Sequence, residues 1–123
     1  MATYDDPIFT SFSVAGNAAI SSTADIFQFV GPVGMTGRIV AMSIVMKTKN
    51  ETAAGNLRIG IPADTDKYGT FEIPIKAIDL AVQPTAAELA AFTDLPADTV
   101  ITIDGDGLGT TGTIDLIVTV MWW

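Results

Sequence analysis

The chain has 123 residues, 49% of them hydrophobic and 16% charged, with a formal net charge of −8, which fits one domain with a sizeable core. It contains neither Cys nor His, so disulfides, Cys/His zinc sites, thiol nucleophiles and imidazole relays are excluded. The acidic excess repels polyphosphate, and nucleic acid is not an expected partner.

The first thirty residues carry no Lys or Arg, and the apolar stretch from Ile26 to Met35 is broken by Gln28, Gly31, Pro32 and Gly34. Neither a signal peptide nor a membrane span is expected, and the chain reads as a soluble protein made inside a cell. Ile8 to Val14 opens the structured part as a strand-like run in which Ile8, Thr10, Phe12 and Val14 alternate with Phe9, Ser11 and Ser13, and Gly16-Asn17 is expected to turn the chain. Ala18 to Ser22 and Asp25 to Val30 follow as further strands. The Gly31–Gly37 loop, with three glycines and a proline between its first residue and its end, admits neither helix nor straight strand.

Arg38 to Thr48 sets Val40, Met42, Ile44 and Met46 on one side and Ile39, Ala41 and Val45 on the other, the pattern of a central strand buried on both faces. Leu57, Ile59 and Ile61 alternate with Arg58 and Gly60, while Phe71, Ile73 and Ile75 alternate with Glu72, Pro74 and Lys76. Each has one core face and one wet face, and Pro74 marks the second as an edge strand. Thr85-Ala-Ala-Glu88 is a capping box that opens a short helix through Leu89, Ala90, Ala91 and Phe92, stopped by Leu95-Pro96.

Val100 to Asp104 and Thr113 to Trp122 flank a glycine-rich turn as the last two strands. The final strand places Ile114, Leu116, Val118, Val120 and Trp122 on a core face. Its other face carries Thr113, Asp115, Ile117, Thr119, Met121 and Trp123, so large apolar groups emerge on the nominally solvated side, where a partner chain is expected. Seven or eight short strands, sixteen Thr residues and one brief helix give an all-β, antiparallel β-sandwich of jelly-roll type, with a short helix near residues 85–92. Residues 1–7 read as an N-terminal arm and 8–123 as a single sandwich domain.

Charge is segregated along the chain. Residues 1–37 hold three acids and no base, residues 77–123 hold seven acids and no base, and all six bases lie between, beside four acids. Such a chain could pair edge to edge with another, or its bases could balance acids within one fold.

Chemistry-bearing motifs are few. Gly107-Leu-Gly109-Thr-Thr-Gly112 matches the dinucleotide fingerprint, but a period-2 strand follows it, with no helix N-terminus for a phosphate; a hairpin turn is expected. Asp104-Gly-Asp106 and Asp64-Thr-Asp66 resemble fragments of cation loops without the remaining ligands, and read as turns. A glycosidase pair could be drawn on paper from Asp104 and Asp115 across the last hairpin. Asn50-Glu-Thr52 is a formal sequon read as a polar turn. No metal, cofactor or catalytic constellation results, and the chain is read as a non-enzyme.

The layout as a whole resembles the small decoration, or cement, proteins that bind the outside of tailed-phage capsids, and the sandwich modules of head fibres. The resemblance rests on the arm Met1 to Pro7, the strand Gly37-Arg-Ile-Val-Ala-Met-Ser-Ile-Val-Met-Lys47, the phrase Leu95-Pro-Ala-Asp-Thr-Val-Ile-Thr-Ile103 and the closing run through Trp122. It implies a sandwich or jelly roll, often a homotrimer, seated on the exterior of the virion capsid with the major capsid protein as partner. No nucleic acid, membrane or cofactor is implied. Ile117, Met121 and Trp123 are the expected oligomer interface, and Tyr4, Asp5 and Asp6 the arm that grips a neighbour; Trp122 is expected to complete the core. The alternative is a head-fibre or receptor-binding module recognising surface glycans, with Tyr68 and the loops around Asp64 and Gly105 as a shallow site. A small hydrolase is the third class.

Overall fold

A computed structural model describes residues 7–19, 25–48, 54–74, 81–106 and 112–123. The elements in chain order are β1 (Ile8–Ala19), β2 (Asp25–Val30), β3 (Gly37–Thr48), β4 (Gly55–Ile61), β5 (Asp64–Ile73), β6 (Ala81–Val82), α1 (Ala86–Ala91), β7 (Val100–Gly105) and β8 (Thr113–Trp122). They form two four-stranded sheets, ordered β1-β8-β3-β6 and β2-β7-β4-β5, with every ladder antiparallel. The sheets pack face to face as an all-β sandwich.

The alternation of β8 makes it the spine of the first sheet. Ile114, Leu116, Val118, Val120 and Trp122 are all at most 1% exposed, and they face Leu57, Ile59, Ile73, Ile101 and Ile103, which come from the second sheet and are fully buried. Each such side chain contributes about 2 kcal/mol through burial. Aromatic rings close the side where β1 meets β2: Phe12 stacks on Phe29 at 4.5 Å between centroids, and Phe29 meets the indole of Trp122 edge-on at 6.3 Å. Trp122 thus completes the core as expected, and its Nε1 donates to Oγ1 of Thr10 at 2.8 Å, which satisfies the one polar group the indole carries inward.

Four local expectations change. Gly16-Asn17 does not end the first strand: β1 runs on to Ala19 through a register shift between Val14 and Ala18, a bulge that bends the strand without reversing it. β3 is interior to its sheet, but only one of its faces is dry. A shift between Ile39 and Ala41 lets Ile39 join Met42, Ile44 and Met46 inside while Ala41 and Val45 point out. Asp64-Thr-Asp66 is not a loop; it opens β5, the edge strand that closes a hairpin on β4 across Pro62-Ala63. The helix ends at its C-cap Phe92, before Leu95-Pro96, and Leu95 instead bridges to Gly37. The capping box forms as read, with Glu88 N donating to Thr85 Oγ1 at 3.2 Å and Thr85 N donating to Glu88 Oε1 at 3.1 Å.

The strand order also accounts for the charge segregation. β3 lies beside β8, β4 beside β7, and the start of β3 beside the loop before β7, so bases of the middle segment meet acids of the last third: Lys47 with Asp115, Arg58 with Asp104, and Arg38 with Asp94. Those three bases are balanced within the fold.

Candidate functional site

The outward side of the first sheet holds the expected interface residues. In β8, Ile117 and Met121 alternate with core residues, and Trp123 follows on the same side. Ile117 and Trp123 are each 50% exposed, and Met121 is half-buried. Met121 lies between Phe9 of β1 and Arg38 of β3, and Phe9 is 59% exposed. Ile117 lies between Ser13 and Ser43. Phe9, Met121 and Trp123 therefore share one end of the face, with Ile117 separated from Met121 by Thr119, whose hydroxyl is 2.9 Å from that of Ser11. Trp123 is fixed although its ring is open: its N–H donates to Thr36 O at 2.9 Å, and its carbonyl accepts from Thr36 N at 2.8 Å. A large ring on a rigid strand loses little freedom on contact, which is what an anchoring residue requires.

The same end of the sandwich carries apolar groups that sequence reasoning missed. Six of the eight exposed large hydrophobic residues among those described are gathered there: Ile8, Phe9, Val30, Val33, Val100 and Trp123. Ladder pairs bring Ile8 to Trp122, Gly37 to Trp122 and Val30 to Val100. Backbone bonds tie the loops down, with Asp98 N donating to Gly31 O at 2.7 Å and Leu95 N to Gly37 O at 2.7 Å. The available signal was the Pro32-Val33-Gly34 turn, which places Val33 at a loop tip, 80% exposed. The proposed arm residues Tyr4, Asp5 and Asp6 lie outside the described residues, as do Asn50 and positions 107–111 of the glycine-rich turn.

The outward side of the second sheet has a different character. Asp104, 1% exposed, receives two bonds from Arg58, Nε at 2.9 Å and Nη2 at 3.0 Å, and the same Nη2 donates to Gly105 O at 2.9 Å. The hydrogen bond to Asp104 raises the guanidinium pKa above its usual value, against the desolvation that lowers it. Asn56 Nδ2 donates to Asp106 Oδ2 at 2.7 Å. Thr102, two residues before Asp104, is wholly buried and its Oγ1 has no hydrogen-bond partner.

This arrangement removes the carboxylate pair considered for glycoside cleavage. Asp104 is held by Arg58 on one sheet, while Asp115 lies 4.0 Å from Lys47 on the other; the layers of the sandwich separate them. Asp104 and Asp106 are engaged by protein donors, and among the described residues no group of acidic side chains is placed to hold a metal ion. Tyr68 is 6% exposed, and burial, with Asp64 adding to it, raises its phenol pKa. A ring so covered offers no stacking platform at Tyr68. A groove of about 360 Å³ does open between β5 and β6, lined by Phe71, Glu72, Pro74, Val82, Gln83 and Glu88 among others. Glu88 is committed there to the helix cap.

No helix among the described residues is long and apolar enough to cross a membrane. Comparison with protein-family models, with curated proteins and with solved structures finds no match to this chain.

Proposed function

We propose that this chain is a structural virion protein, a decoration or cement protein that binds the outer surface of a tailed-phage capsid and stabilises the head without catalysis. The observation that carries the reading is the exposed apolar end of the sandwich, where Phe9 is paired to Met121, Trp123 is tied to Thr36, and Val33 tips the turn closed by Met35 N on Pro32 O. Pro7, where the N-terminal arm joins, precedes Ile8 at this same end. Cement requires no chemistry. Many modest contacts repeated by symmetry add through avidity, and an apolar end with an arm supplies them.

The strand order supports a jelly roll. β1 pairs with β8, β2 with β7, β3 with β6 and β4 with β5, the pairing of one long four-level hairpin, and β8 on β3 with β7 on β4 rolls it into two sheets. Jelly rolls recur in viral capsid domains. The major capsid protein is the partner in this reading, and Ile117, Met121 and Trp123 contact a neighbouring subunit of a homo-oligomer, a trimer by the resemblance. The test is to add purified protein to expanded capsids and measure co-sedimentation and the temperature of capsid disruption. Saturable binding with a higher disruption temperature is expected; no binding at micromolar concentration overturns the reading.

A further inference from the structure

An edge strand exposes a row of unpaired N–H and C=O groups, and folded proteins guard such edges with short length, charge, proline or a cover. Three of the four edges here are guarded. β6 is two residues long, β5 carries Asp64, Asp66, Lys67 and Glu72, and β2 is six residues long, starts at Asp25 and runs into Gly31-Pro32. β1 is different: its twelve residues contain no charge and no proline, it pairs with β8 along one side, and its described residues make no hydrogen bond along the other.

We infer that β1 is a strand-pairing edge whose occupant is β1 of a second copy, antiparallel to it about a two-fold axis. Two copies of a chain at −8 repel each other, and β1 is the edge along which they can approach with no charge brought into contact. The sequence is also self-complementary. A two-fold axis at Ser11 sets Ile8 against Val14, Phe9 against Ser13 and Thr10 against Phe12, so core-side residues meet core-side residues and outward residues meet outward ones. Phe12 and Val14 pack on the core yet remain half-exposed on this flank, and Ile8 is 46% exposed; a second copy would cover all three. Pairing runs over Ile8 to Val14, about 24 Å of strand, and stops at the bulge that follows. Pairing of β1 with β1 is isologous, and the two first sheets become one continuous sheet.

This inference does not rest on the capsid reading. Its test is the molar mass of the full chain by light scattering, for the natural protein and for Val14→Lys, with Val14→Thr as control and circular dichroism to verify folding. Val14 is on the core side, away from the outward face, and a Lys there would be covered by Ile8 of the other copy, so Val14→Lys should halve the mass, whatever assembly the outward face adds, while Val14→Thr leaves it unchanged. Hydrogen exchange of the natural chain supplies a second readout: amides within Ile8 to Val14 should lose at least tenfold protection on dilution below the dissociation constant. A monomeric natural chain, or a folded Val14→Lys with unchanged mass, overturns the inference. So does protection in β1 that is independent of concentration. Failed capsid binding together with a halved mass overturns the capsid reading and leaves this one standing, which separates the two.

Discussion

Gly37 packs directly against the indole of Trp122: a Cβ at position 37 would clash with Cζ3, Cε3 and Cη2 of the ring. Gly37 also exchanges backbone bonds with Leu95, at 2.9 and 2.7 Å, so the backbone is held and cannot recede from an added methyl. Gly37→Ala is expected to cost about 1–3 kcal/mol by overpacking, measured by urea unfolding, with a matching loss of near-ultraviolet dichroism from the displaced tryptophan. An unchanged midpoint would mean that the indole has room to move.

The two adjacent tryptophans should separate cleanly by role. Trp122 is 1% exposed and bonded to Thr10, whereas half of Trp123 faces solvent. Trp122→Ala should cost about 3–5 kcal/mol of fold stability. Trp123→Ala should leave the melting midpoint within about 2 °C, since a surface change is worth about 0.5 kcal/mol or less, while weakening association at the outward face about tenfold or more. The reverse pattern would put the strand register off by one residue.

Asp104 is buried and its charge partner Arg58 is 24% exposed, so loss of the guanidinium leaves an uncompensated buried carboxylate. Arg58→Met should therefore destabilise by about 3 kcal/mol, and adding Asp104→Leu should restore much of the loss. Two residues away, Thr102→Val replaces an unpartnered buried hydroxyl with a methyl of similar shape, and should raise stability by about 1 kcal/mol. Chemical denaturation of Arg58→Met, Asp104→Leu, their double variant, Thr102→Val and the parent closes the cycle. A neutral Arg58→Met would show that the guanidinium contributes only its packing.

Much of this architecture is legible in period-2 alternation. The strict pattern from Ile114 to Trp122 identifies the spine strand and the side on which Ile117, Met121 and Trp123 emerge, and Thr85-x-x-Glu88 identifies the helix start, because each signal is local. What alternation does not carry is register between distant strands. The bulge at Val40 turns a doubly apolar run into a one-sided strand, and the pairing of β4 with β7 sends Arg58 to an acid 46 residues away. The apolar end is illegible for the same reason: Ile8, Val30, Val33 and Val100 are isolated in the chain and meet only once the sheets close.

Tyr68 gives the fold a pH-dependence at the alkaline end. Burial raises its pKa, with Asp64 opposing the phenolate further. Above about pH 10 the unfolded chain releases that proton while the folded chain retains it, so the stability linked to the neutral phenol is complete below the unfolded value and is lost as pH rises through the folded one. Tyr68→Phe removes the ionisable group and leaves the ring. The variant should match the parent within about 1 kcal/mol at pH 7, by the usual size of one hydrogen-bonding group, and lose stability less steeply as pH rises above about 10. Urea midpoints at a series of pH values decide it, and parallel slopes for the two proteins would place the alkaline loss elsewhere.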